Sequence, residues 1–195
     1  EKRITGPHGG LMSKKQLSAA QGIEAACILF QLNSKTADIL RLAENAGLPS
    51  AYAHGPEQAR LCAEWRAFVH AMVTAGLMQH APNSVLAGYL RETGNLLRAA
   101  ETDAPAESNN APTAGTLVQA DFVDGPFAAY MALLGHGEQA GCPELFCRRL
   151  AEGAAPGVAA EQAADARAQA RLAAAMALVI SAVCDKLEEY EILSD

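Results

Sequence analysis

The side chains best able to do chemistry here are five cysteines (Cys27, Cys62, Cys142, Cys147, Cys184) and five histidines (His8, His54, His70, His80, His136). Zinc asks for thiolates and neutral imidazoles, with four ligands at about 2.0–2.3 Å. The segment Cys142-Pro-Glu-Leu-Phe-Cys147, with His136 six residues upstream, offers three donors and no second cysteine pair. Residues five apart on a helix also point in different directions. This spacing therefore predicts ordinary thiols and no metal site. A reactive cysteine has one argument in its favour: Cys142 stands where a helix should begin, and a helix N-terminus favours thiolate.

No local catalytic pattern completes the set. His-Glu-x-x-His, Glu-x-x-His, Gly-x-Ser-x-Gly and the Walker loop are all missing from the sequence. Gly135-His136-Gly137 follows a helical stretch where a dinucleotide turn would have to open one. The acidic residues Glu188, Glu189, Glu191 and Asp195 read as a solvated tail. An enzyme would have to assemble its site through the fold, from residues such as Glu64, His70, His136, Glu138 and Cys142. No cofactor is implied by any motif.

Two other sets of residues could recognise a partner. Trp65, Phe68, His70 and Met72 lie close together in one helical stretch, and Tyr130 and Met131 in another. Large apolar rings with a few polar atoms are what a small-molecule or haem pocket is made of. They are equally what a dry core is made of. Near the C-terminus, Leu172, Met176, Val179, Val183, Leu187 and Tyr190 step by 4, 3, 4, 4 and 3. That near-heptad spacing suits packing along a bundle or against a partner helix.

The elements that must position these residues are helices. Ile23, Cys27 and Phe30 mark one stripe in a helix expected from Ser13, and Ile39, Leu40 and Leu42 mark a second, stopped by Gly47. Gly55-Pro56 opens a third, whose Leu61, Trp65, Phe68 and Met72 define an amphipathic face; Gly76 should weaken its end and Pro82 close it. Asn83 or Ser84 starts a fourth, Pro126 a fifth, and Pro143 a short sixth stopped by Gly153. The last and longest helix is expected to run unbroken from about Val158 to Tyr190. Residues 102–116 lose all apolar period and read as a flexible loop, and 1–12 as a flexible arm. Leu117–Val123 is the one candidate for extended chain. The expectation is an all-α bundle of about six to seven helices with a long C-terminal helix, a single domain over 13–195.

Composition agrees. Half of the 195 residues are apolar, dominated by alanine, with one tryptophan. Alanine has the highest helix propensity, while the β-branched and aromatic residues of strands are scarce. The formal net charge of −7 disfavours nucleic acid as a partner, because phosphate contacts call for Lys and Arg. The longest apolar run, Leu172 to Cys184, is shorter than the roughly 20 residues a membrane span needs. An odd number of cysteines and no visible signal peptide point to a soluble protein of the reducing cytoplasm.

Residues 20–52 are similar in outline to the start of the helix-turn-helix of TetR-type regulators: helix, break, helix, then Ala46-Gly47-Leu48-Pro49-Ser50 and Tyr52. Such a resemblance implies a DNA-reading helix next. Here Pro49, Gly55 and Pro56 interrupt that segment, and Lys35, Arg41 and Arg60 are its only nearby cations. The sequence therefore favours a non-enzymatic helical protein acting through protein–protein contacts, as an accessory, adaptor or regulatory factor. The alternative is a helical small-molecule or haem-binding protein, one form of which is a ligand-responsive regulator.

Overall fold

The structure, a computed structural model, describes residues 14–102 and 126–194, with 98–102 described as helix only. The arm expected over 1–12, the extended segment at 117–123 and all of the 102–116 loop except Thr102 lie outside the described residues.

Ser18 begins the first helix. Its side chain accepts from the Gln21 backbone N–H while the Gln21 side chain accepts from the Ser18 N–H, a reciprocal capping box. From there α1 runs Ala19–Leu32 and α2 runs Thr36–Ala46. Gly47 ends α2 at φ 84°, a left-handed conformation that suits glycine and is disfavoured by any side chain. A 3₁₀ turn at Ser50–Ala53 leads into α3, Gly55–His80. Next come α4 (Asn83–Thr102), α5 (Pro126–Gly135), α6 (Cys142–Glu152), α7 (Pro156–Ala164) and α8 (Ala166–Glu188). The architecture is an all-α helical bundle, with eight helices among the described residues.

The bundle is built around α3. Every residue from Phe68 to Leu77 is buried, so this half of α3 is enclosed on all sides and not on one face as its periodicity predicts. A helix apolar all round belongs in the interior. Helices α1, α2, α4, α5, α6 and α8 all pack against it. Gly76 does not end α3; it makes room. A Cβ there would stand 2.5 Å from Leu187 Cδ1, so the missing side chain lets α8 lie close.

Three other expectations are corrected. The helix expected from Ser13 starts at Ala19, because Lys15–Leu17 forms a short strand, β1. It pairs in parallel with β2, Tyr190–Ile192, in the register Lys15–Tyr190, Gln16–Glu191 and Leu17–Ile192. The expected unbroken last helix is two helices. Asp165 parts them, its carboxylate accepting from the backbone N–H groups of Arg167 and Ala168. Aspartate caps a helix start better than it continues an interior. The 26-residue α3 is therefore longer than the 23-residue α8.

Candidate functional site

Among the described residues, α3 contributes to two polar clusters in the interior. In the first, Glu64 is buried, and its Oε1 accepts from Tyr130 Oη at 2.6 Å and from Arg149 Nε at 3.0 Å. Burial raises the carboxyl's pKa, while the tyrosine hydroxyl and the guanidinium pull it back down. Three helices, α3, α5 and α6, thus meet at one oxygen. A buried pair of this kind is costly to break by removing one partner, which leaves the other charge stranded. Its geometry suits a tie between helices, with both hydrogen bonds directed inside the protein.

In the second cluster His70 Nδ1 lies 3.0 Å from Tyr89 Oη, joining α3 to α4. The ring is packed edge-on to Phe30 and 4.7 Å from the Phe127 ring centre. Burial pushes the imidazole pKa down to about 4, so His70 is neutral at pH 7. Burial likewise raises the Tyr89 hydroxyl. A third buried link joins more distant parts: Tyr52 Oη donates to Gln162 at 2.6 Å, and Gln162 Nε2 donates to the Cys147 carbonyl at 2.9 Å.

The sequence-predicted ligand residues Trp65, Phe68, His70, Met72 and Tyr130 come together as core, each no more than 3% exposed; Met131 is half-buried beside them. Phe68 stands edge-to-face with Trp65 at 5.4 Å and with Tyr130 at 5.6 Å, and Trp65 with Phe146 at 5.9 Å. Trp65 Nε1 donates to the Asn33 carbonyl at 2.8 Å. These rings fill one another's space. The open grooves along α2, beside the strand pair and between α1 and α4 are lined by other residues.

The sulfur and histidine candidates separate. Cys142 is buried at the first position of α6, and burial pushes its thiol up to about 11, the opposite of the lowering that a reactive thiolate needs. Burial also raises the other four thiols. His136 is exposed, its Nδ1 2.5 Å from the Ala132 carbonyl oxygen. No group of three or more His, Cys, Asp or Glu is placed to hold a metal ion among the described residues.

The C-terminal stripe faces inward. Leu172, Met176, Val183 and Leu187 are buried, Val179 and Tyr190 are half-buried, and α8 packs on α2, α3 and α6. The large apolar side chains facing solvent are different ones: Ile28 and Leu32 on one face of α1, Met78 near the end of α3, Leu178 on α8, and Leu193. Leu178 is 72% exposed. Sequence reasoning missed it because it lies off the inner stripe; the signal was a leucine among alanines on the opposite face.

No family model, no curated protein and no solved structure matches this chain. Fold and site together define an all-α helical bundle whose interior polar groups bind its helices to one another. No helix among the described residues is long and apolar enough to cross a membrane.

Proposed function

We propose that this protein is a non-enzymatic helical factor that acts through protein–protein contacts, in an accessory, adaptor or regulatory role. The observation that carries this reading is a division of labour among its side chains. The buried polar groups Glu64, Tyr130, His70, Tyr89, Tyr52 and Gln162 all engage one another or Arg149 inside the bundle, while leucine, isoleucine and methionine side chains stand outside on helix faces. Apolar groups on an outer helix face gain by being covered, and a protein partner or a second copy can cover them. Five free thiols, all held up by burial, support a reducing, cytoplasmic setting for this role. The net charge of −7 supports a partner other than nucleic acid.

Native mass spectrometry of the protein purified gently from its own cells tests the reading. A polypeptide retained at defined stoichiometry is the expected result. A bound small molecule of a few hundred daltons, or a haem absorption band, would overturn it in favour of a ligand-binding protein. At the site the sequence suggests, such a ligand would have to part the rings of Trp65, Phe68 and Tyr130, which now touch one another.

A further inference from the structure

The outer face of α8 has an order that its inner face lacks. Read along the solvent side, the helix presents Arg167 and Arg171, then Ala174, Leu178 and Ala182, then Asp185 and Glu189, just past the helix end. The steps are 4, 3, 4, 4, 3 and 4, which reads the same in both directions about Leu178. All seven residues are exposed. At 100° per residue they fall within one sector of less than a quarter of the helix circumference. The two alanines are symmetric about Leu178, and charge is antisymmetric: two cations before it, two anions after it.

We infer that this face is a self-pairing surface, on which α8 of a second copy of this chain docks antiparallel about a two-fold axis at Leu178. The inference rests on the protein-contact reading above and names the partner. An isologous contact requires that residue i meet j and j meet i. Antiparallel pairing about Leu178 brings Arg171 opposite Asp185 of the second copy, about 10.5 Å along the axis from the centre, and Arg167 opposite Glu189 at about 16.5 Å, each twice. At the centre, Leu178 meets its own copy, flanked by Ala174 and Ala182, whose small side chains let the backbones approach closely. Helix dipoles run in opposition in this arrangement, which is favourable. Parallel pairing in the same register would set Arg171 against Arg171 and Asp185 against Asp185, so the charges select the antiparallel form.

The surroundings leave the inner charge pair free to act. Asp185 accepts only from Ser181 on its own helix, at 3.3 Å, among the described residues. Arg171 lines a shallow groove with Asp38 and Arg41, which already pair with each other. Glu189 is partly occupied by Lys186 at 2.6 Å, so the outer pair contributes less than the inner one. A seam one helix long lies at the small end of specific interfaces, so association in the micromolar range is expected.

The test is sedimentation of the 195-residue chain from about 1 to 100 μM, a range spanning that expectation. The wild-type protein should pass from 20.4 kDa to twice that mass. Leu178→Glu sets two carboxylates face to face and should weaken the dimer at least about 100-fold. Arg171→Glu should weaken it about tenfold, and Asp185→Arg likewise. The double variant Arg171→Glu/Asp185→Arg should restore it, because exchanging the charges preserves the antisymmetry. Leu178→Cys should form a disulfide between residue 178 of one copy and residue 178 of the other on mild oxidation. Circular dichroism of each variant monitors its folding, and the double swap keeps the inference testable should one single variant misfold. A dimer indifferent to Leu178→Glu, or a double variant no tighter than the singles, overturns the inference. So does a chain that stays monomeric at 100 μM. A monomer that retains a different polypeptide at defined stoichiometry overturns the self-pairing alone, whereas a retained small molecule overturns the protein-contact reading itself.

Discussion

The two sides of α8 are made from the same few residue types and do opposite things. Inward, Leu172, Met176, Val183 and Leu187 are no more than 3% exposed, and Leu187 fits where Gly76 carries no side chain. Outward, Ala174, Leu178 and Ala182 stand in solvent between two arginines and two acidic residues. Both stripes have helical period. The inner one differs in side-chain volume, and volume buried against α2, α3 and α6 is what fixes the helix in place. The outer one has little volume and an ordered pattern of charge, which does little for folding but can discriminate between partners.

That contrast can be tested by mutation. Leu172→Ala should lower stability by about 2–5 kcal/mol, read from the urea midpoint, because it removes buried methyl groups and leaves a cavity. A loss under about 1 kcal/mol would mean that the inner face is no better packed than the outer.

Acid should expose the next difference. The folded pKa of His70, about 4, lies below the ordinary histidine value, so the unfolded chain binds its proton first. Its contribution is complete above pH 6.5 and is lost as pH falls toward 4, by about 3 kcal/mol in all. Glu64 works in the opposite sense, since its raised pKa favours proton uptake by the folded state. Stability followed from pH 7 to 4 in wild type and His70→Gln isolates the histidine; parallel curves would remove it from the account.

Smaller again is the start of α8. Asp165→Ala removes the acceptor for the Arg167 and Ala168 N–H groups and should destabilise by about 1 kcal/mol in thermal unfolding. An increase in helix content by circular dichroism would show α7 and α8 merging into the single helix that the alanine-rich sequence suggests. Smallest of all, Leu178→Ala should change the stability of the dilute protein by no more than about 0.5 kcal/mol. A drop as large as that of Leu172→Ala would erase the distinction between the faces.

Much of the fold was legible in the sequence because helices announce themselves locally. Gly153 marks a helix boundary where punctuation predicts it, and Gly47 adopts the left-handed stop expected of it. What was not legible depends on partners far away in the chain. Lys15–Leu17 has no strand character of its own; it is extended because Tyr190–Ile192 lies beside it. The burial of Glu64 has a local hint, since it sits between Leu61, Trp65 and Phe68 on the apolar face. Its partners Tyr130 and Arg149 come from helices that only folding brings near. The outer stripe of α8 escaped for another reason: hydrophobic period is sought in large side chains, and this stripe is written in alanine and charge.

The strand pair has a mechanical meaning. Parallel strands near the two ends of the described chain are loaded in shear when Lys14 and Ser194 are drawn apart, since one end leaves before β1 and the other after β2. The Lys15 N–H bond to the Glu189 carbonyl and the Leu193 N–H bond to the Leu17 carbonyl then bear tension together and do not open one after another. Three residues at each end act as a buckle, and the helices between them feel a pull only after it has given way.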